Sequence, residues 1–145
     1  MGHTYSANFF HIVFATKHRD DAITKPDALW AYSAGIVRNI GADPLSIGGT
    51  SNHVHLLLRV PPHFSIAETT QKIKANTSRW LRESGRWEGW QEGYGSFSVS
   101  VSNRGAVCRY IRNQALHHAV RSFEEEFINL LTRSGIVFDK ASVFD

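Results

Sequence analysis

Two histidines separated by one residue are the strongest chemical signal in the sequence. His53 and His55 belong to a run of alternating character that ends at Val60. Side chains two residues apart on a strand point to the same side of its sheet, so both imidazoles would face one way and Val54 and Leu56 the other. Two imidazoles on one face can bind one divalent cation. Taken alone, the pair is more simply interpreted as two histidines on a solvated sheet surface.

A tyrosine and a glutamine four residues apart form the second signal. On a helix, Tyr110 and Gln114 would share one face, with the phenol and the amide one turn apart. Val107, Ile111 and Ala115 form a narrow apolar line that would dock this helix onto the protein. The same spacing is typical of an ordinary amphipathic helix with a surface tyrosine, so it acquires meaning only beside the histidine pair.

The hydrophobic pattern predicts the elements that must position these side chains. Strands are expected at residues 9–15, 45–48, 53–60 and 96–102. Helices are expected at residues 26–40 and 103–117, and after capping boxes at 65–68 and 122–125. The order β-α-β-β-α-β is the split βαβ pattern of a ferredoxin-like α+β fold, with a four-stranded antiparallel sheet and two helices on one face. Additional C-terminal helices follow, one of which carries Tyr110, and the histidines would lie on the uncovered face.

Composition bounds the class of protein. A chain of 145 residues with 42% hydrophobic residues predicts one domain over residues 1–145. The formal net charge of +3 favours an anionic partner. A single cysteine, Cys108, excludes an internal disulfide and suits a reducing compartment. Neither an apolar run of membrane length nor a signal-peptide pattern is found, so we expect a cytoplasmic protein.

Taken together and in this order, the two signals resemble the HUH single-tyrosine transposases of small insertion sequences. That family's His-hydrophobic-His motif matches His53-Val54-His55, and its later Tyr-x-x-x-Gln motif matches Tyr110 and Gln114. The likeness spans residues 9–118 and includes the basic segment at 14–19.

One departure from the family pattern precedes the first histidine. Many insertion-sequence members have Asp there, whereas this chain has Asn52. In having asparagine at this point, the chain resembles the related REP-associated tyrosine transposases. The spacing from Tyr110 to Gln114 nevertheless follows the insertion-sequence form, so both branches stay open.

The resemblance implies a role for each matched residue. His53, His55 and Gln114 would hold a Mg²⁺ or Mn²⁺ ion that polarises a phosphate of single-stranded DNA. Tyr110 would attack that phosphate, leaving a 5′-phosphotyrosine that can be rejoined without ATP. The ligand set is rich in nitrogen for Mg²⁺, so Mn²⁺ should work at least as well. The family works as a homodimer in which the tyrosine helix can act in trans, and the spacing leaves cis and trans open.

Contacts to single-stranded or hairpin DNA are predicted from basic and aromatic residues. Trp87 and Trp90 could stack on bases, or belong to the core or to a dimer interface. His117 and His118 could assist Tyr110 or contact phosphate. The basic candidates, each of which could also be ordinary solvated charge, are Lys17, His18, Arg19, Lys72, Lys74, Arg79, Arg104, Arg109 and Arg112.

Three other interpretations stay open to test. A histidine-triad nucleotide hydrolase needs a third histidine where Leu57 stands. An RNA-recognition-like module would share the sheet order and an aromatic segment at 93–97, but it would bind without a cation. A descendant of a transposase could keep the site and bind DNA without cutting it. The tail after Val120 lies outside the resemblance and is interpreted as a packing or dimer element.

Overall fold

A four-stranded antiparallel sheet of order β2-β3-β1-β4 organises the chain in the computed structural model, which describes residues 2–145. The strands are β1 (Phe9–Ala15), β2 (Asp43–Thr50), β3 (His53–Arg59) and β4 (Gly95–Val99). The helices are α1 (Pro26–Asn39), α2 (Ile66–Glu83), α3 (Arg104–Arg112), α4 (Gln114–His117) and α5 (Phe123–Arg133). The α+β prediction, with a four-stranded antiparallel sheet and C-terminal helices, is confirmed.

Two helices cover one face of the sheet. The buried side chains of Val54 and Leu56 pack in one cluster with Leu29 of α1 and Ile73 of α2. The hydroxyl oxygen of Ser65 accepts a hydrogen bond from the backbone N–H of Glu68 at 3.0 Å and so caps α2. Both helices therefore lie on the side predicted from the alternation of β3.

The C-terminal helices cover the opposite face, which carries the histidines. Leu57 of β3 is buried against Ile111 of α3, and Phe123 of α5 packs in a cluster with Val13 of β1 and Phe97 of β4. His53 and His55 are consequently 0% exposed. The face left uncovered by α1 and α2 is thus covered by helices from the end of the chain.

Gly48 allows α3 to approach the histidine strand closely. It pairs with His55 in the β2–β3 ladder. A Cβ at this position would lie 2.6 Å from the backbone carbonyl oxygen of Ile111. A side chain on Gly48 would therefore push α3 away from the sheet.

Three predicted elements have wrong bounds. The strand predicted at 45–48 is longer, since β2 runs over Asp43–Thr50. β4 ends at Val99, because Val101 is 53% exposed and begins a short 3-10 turn. The helix predicted at 103–117 is interrupted at Asn113, whose backbone angles are φ −97° and ψ 20°. Asparagine is a poor residue for a helix interior, and the bend lets α4 bury Gln114, while Ala115 stays exposed.

Within residues 2–145, no helix has both the length and the apolar character needed to cross a bilayer.

Candidate active site

Three buried side chains, two from β3 and one from α5, lie close together. The Nε2 atom of His55 lies 3.1 Å from Oε1 of Glu126, and Nε2 of His53 lies 3.5 Å from the same oxygen. One ligand atom from each residue lies within 4.8 Å of the other two. Two imidazoles and a carboxylate at such separations could hold a metal ion.

Gln114 of α4 adds an amide oxygen to this group. Its Oε1 lies 2.8 Å from Nε2 of His53. Its amide N–H donates a hydrogen bond to Oε2 of Glu126 at 2.9 Å, which orients the oxygen toward the histidine. The predicted grouping of His53, His55 and Gln114 is therefore present in space.

The surroundings of His53 fit a cation. Its Nδ1 lies 2.8 Å from Oδ1 of Asn52 and 3.0 Å from the hydroxyl of Thr50. Burial and neighbouring His55 lower the pKa of His53 to about 3, so the ring is neutral at pH 7. A neutral imidazole has one N–H. If that proton lies on Nδ1, toward Asn52, the lone pair of Nε2 points to the oxygen of Gln114, and the two atoms together could bind a cation.

His11 of β1 supports the second histidine. Its Nε2 lies 2.7 Å from Nδ1 of His55. Burial and His55 lower the pKa of His11 to about 3, so it too is neutral. When His55 binds a cation through Nε2, its proton lies on Nδ1, and neutral His11 can accept that hydrogen bond. Sequence reasoning missed His11, although it is the one polar residue in the apolar strand Phe9–Ala15.

Tyr110 meets this group through its hydroxyl, which donates a hydrogen bond to Oε2 of Glu126. Its half-buried ring stands edge-on to the ring of His55, with centroids 5.8 Å apart. Burial first, then the hydrogen bond and charge of Glu126, raise the pKa of Tyr110. The phenol is therefore neutral at rest. Tyr110 and Gln114 converge on Glu126 despite the break at Asn113.

Glu126 connects the parts of the site. Its Oε1 also lies 2.9 Å from Nε2 of His118, so the carboxylate contacts both the histidine side and the tyrosine side. Burial by itself would raise the pKa of Glu126, but hydrogen bonds from His55, Tyr110 and Gln114, together with the charge of His55, hold it well below its usual range. Glu126 is thus ionised at neutral pH.

Sequence reasoning missed Glu126 because it lies in the tail after Val120. The residue follows Phe123 by three positions and precedes Leu130 by four, so it shares one face of α5 with these two apolar residues. A carboxylate on an apolar helix face is the signal that could have identified it. The tail packs against the sheet and also contributes to the site.

The two histidines that follow Gln114 lie close to the site. The ring of His118 lies 4.5 Å from that of His53. The ring of His117 packs against Tyr110 with centroids 4.8 Å apart.

The predicted DNA contacts on α2 lie on the far side of the sheet from the histidines. Lys72 and Arg79 are exposed there. Lys74 donates hydrogen bonds to the backbone oxygens of Gln91 and Gly93 at 2.8 and 2.9 Å. Burial lowers the pKa of Lys74, and Glu92 opposes that shift. These residues share no surface with the candidate active site.

The remaining basic candidates lie elsewhere on the chain. Arg104 and Arg112 are exposed on α3, as is Arg109, on the side of the histidines. Lys17 and His18 are exposed in the turn after β1. Arg19 donates hydrogen bonds to the side chain of Gln91 and the carbonyl of Phe144, and lies 3.5 Å from Glu124.

Both predicted stacking residues pack against the core beside α2. The indole N–H of Trp87 donates to Ser78, and that of Trp90 donates to Thr77. Their rings contact each other edge to face at 4.8 Å. This placement favours the core interpretation for both tryptophans.

Two solved structures are similar to the chain. One is a presumed transposase from Deinococcus radiodurans R1, with 25% identity and a TM-score of 0.62 over 79% of this chain and 96% of that one. The other is a REP-associated tyrosine transposase bound to a REP hairpin, with 13% identity and a TM-score of 0.60 over 81% of this chain and 74% of that one. The second likeness concerns the fold alone.

Sequence comparison gives a family as well. No curated protein matches the sequence. A family model described as "Transposase IS200 like" matches residues 4–114, which include His53, His55, Tyr110 and Gln114. Because this segment covers well over half of the chain, the protein belongs to the IS200-like transposase family.

Proposed function

We propose that this protein is a metal-dependent tyrosine transposase that cleaves and rejoins single-stranded DNA. The observation that carries the proposal is the carboxylate of Glu126. One of its oxygens accepts the hydrogen bond of the Tyr110 hydroxyl, and the other lies 3.1 Å from Nε2 of His55. A candidate nucleophile and a candidate cation site therefore share one side chain.

The proposed ligands are Nε2 of His53, Nε2 of His55 and a carboxylate oxygen of Glu126, with the amide oxygen of Gln114 beside them. The carboxylate supplies the hard oxygen ligand that Mg²⁺ and Mn²⁺ prefer, so both ions suit this set better than the nitrogen-rich set predicted from the sequence. When bound, the ion supplies Lewis-acid polarisation of a phosphate oxygen. Burial of all three main ligands keeps competing water away.

Tyr110 acts as the nucleophile. The bond between its Oη and phosphorus forms, the bond from phosphorus to the 3′-oxygen breaks, and the phenol proton is lost while the leaving 3′-oxygen gains one. Because the phosphotyrosine is itself a phosphodiester, the reverse attack rejoins the strand without ATP. Glu126 holds the hydroxyl in place, and the packed ring of His117 holds the phenol.

The substrate is proposed by analogy with the structurally similar protein that was solved bound to a REP hairpin, and the assembly follows from the family resemblance. We propose single-stranded DNA with hairpin ends as the substrate and residues 1–145 as one transposase domain acting in a homodimer. The contact of Tyr110 with the candidate site of its own chain supports a proposal of the cis arrangement.

A covalent-trapping assay tests this function. The protein is incubated with labelled single-stranded oligonucleotides and hairpins from the flanks of its own gene, with Mn²⁺ or EDTA, and a denaturation-resistant adduct is sought on a gel. We expect a Mn²⁺-dependent adduct that Tyr110→Phe abolishes and that Tyr32→Phe, on α1, leaves unchanged. An adduct that persists in Tyr110→Phe would exclude the proposed nucleophile. Metal-independent binding without any adduct would indicate a DNA-binding module that does not cut.

A further inference from the structure

A cavity of about 300 Å³ opens beside Tyr110, between α3 and α5. Tyr110 and Glu126 line it where it meets the candidate active site. Arg121, Asn129 and Arg133 line it from the C-terminal segment. Its volume is at the lower end of the range of about 300–1,000 Å³ that is usual for ligand pockets.

The lining of this cavity carries an excess of positive charge. Arg121 and Arg133 are exposed, and the salt bridges found among residues 2–145 include neither of them. Glu126 contributes the one carboxylate to the lining, and His55 and His118 already contact it. Two guanidinium groups therefore face a cavity in which a further anion would be stabilised.

Arg121 lines the same cavity as the candidate nucleophile, Tyr110. Asn103 and Asn129 add amide donors to opposite walls of the cavity. A phosphodiester takes such donors, and guanidinium groups match phosphate oxygens with paired N–H bonds.

We propose that this cavity binds a phosphate of the single-stranded DNA next to the attacked bond, held by Arg121 and Arg133. The inference rests on the proposed function and extends it to a substrate contact. Both arginines lie beyond residues 4–114, the segment that matches the family model. The C-terminal segment would thus supply Glu126 to the candidate site and two cationic groups to the adjacent phosphate of the DNA.

A binding experiment tests the two arginines separately from cleavage. Arg121→Gln/Arg133→Gln is compared with Arg38→Gln/Arg82→Gln, which removes the same charge from exposed positions on α1 and α2. All proteins carry Tyr110→Phe, so the DNA stays intact. The probes are fluorescently labelled single-stranded oligonucleotides and hairpins from the gene's flanks, and anisotropy is measured over a salt series in EDTA.

We expect the paired change at Arg121 and Arg133 to weaken binding about tenfold or more. It should also reduce the slope of log affinity against log salt by about 0.7 for each phosphate that the protein no longer neutralises. The control should keep the parent affinity. An oligonucleotide series with one neutral methylphosphonate linkage at a time then locates the phosphate. The neutral linkage that weakens DNA binding by the parent protein should not further weaken DNA binding by the Arg121/Arg133 variant.

Equal losses of affinity in both double variants would show general charge attraction and overturn the inference. Full affinity in the Arg121/Arg133 variant would also overturn it. Either result leaves the trapping assay on Tyr110 intact. Failure of that assay would overturn the proposed chemistry, while the anisotropy comparison would still report on the cavity. Circular dichroism of each variant controls for folding.

Discussion

At the scale of single residues, the chemistry depends on how one carboxylate is shared. Oε1 of Glu126 faces His55 and His118, while Oε2 accepts hydrogen bonds from Tyr110 and Gln114. A displacement of this side chain would change the position of the proposed nucleophile and of the proposed cation ligands together.

Replacing Glu126 with glutamine keeps the shape of the side chain but removes its negative charge. We expect the affinity for Mn²⁺ to fall about tenfold or more. Mutating a group that only hydrogen-bonds to a metal ligand lowers metal affinity by about 10- to 100-fold, and loss of a direct ligand should cost at least as much. Isothermal titration calorimetry measures this. Glu124→Gln, which changes a partly exposed residue on the same helix, should bind Mn²⁺ like the parent. Parent-like affinity in Glu126→Gln would remove it from the ligand set.

Acidification should destabilise the metal-free protein well before its carboxylates are protonated. Burial and His55 lower the pKa of both His11 and His53 from 6.5 to about 3. Below pH 6.5 the unfolded chain therefore binds protons that the folded protein does not, and stability falls with pH until about pH 3. Each histidine accounts for a loss of up to about 2 kcal/mol between pH 7 and pH 5.

Urea unfolding in EDTA at pH 7 and pH 5 measures this loss. The lowered pKa of Glu126 acts in a separate window, since its contribution is lost only as pH falls below the ordinary value of 4.5. His11→Asn should reduce the difference between the two pH values by about half. Equal stability of the parent at both pH values would show that these histidines are not held neutral.

At the scale of elements, the contact between β2 and α3 sets how close Tyr110 comes to the histidines. A Cβ on Gly48 would approach the carbonyl oxygen of Ile111 to 2.6 Å, and backbone atoms cannot move aside as a flexible side chain can. Gly48→Ala should therefore cost roughly 1–3 kcal/mol of unfolding free energy and lower the yield of covalent adduct.

The matched comparison is Gly35→Ala in α1, where an added Cβ meets nothing within 4 Å. Removing a glycine from a helix interior should stabilise the protein by about 1 kcal/mol. Urea midpoints of the two variants should thus move in opposite directions. A Gly48→Ala protein as stable as the parent would show that α3 can shift without loss of stability.

At the scale of the whole molecule, the candidate cation site joins distant parts of the chain. Its proposed ligands come from β3, α4 and α5, and both histidines are 0% exposed. An ion bound there would have to be released or exposed on unfolding. Metal binding and global stability should therefore be coupled.

We expect Mn²⁺ at about 100 times its dissociation constant to stabilise the fold by about 2.7 kcal/mol, which corresponds to a rise in Tm of roughly 5–11 °C for a chain of this size. Thermal unfolding with Mn²⁺ and with EDTA measures the rise. His53→Ala/His55→Ala should show none. A rise of the same size in that variant would indicate that the ion binds elsewhere.

Features that depend on neighbours in the chain can be predicted from the sequence alone. Alternation along β3 separates the side of His53 from the side of Val54, and hydroxyl caps at Ser65 and Ser122 begin α2 and α5. The ordered spacing of the histidine pair and of Tyr110 was sufficient to indicate the family. These signals are local, because side-chain direction and helix capping depend on a few adjacent residues.

The tertiary structure decided which distant side chains meet. Glu126 lies 71 positions from His55, and no period or spacing encodes how α5 crosses the sheet. His11 joins the site because β1 pairs with β3, and the bend at Asn113 is what allows Gln114 to reach Glu126. Such contacts depend on how packed faces fit together, so residues far apart in sequence acquire a shared chemistry only after the core has formed.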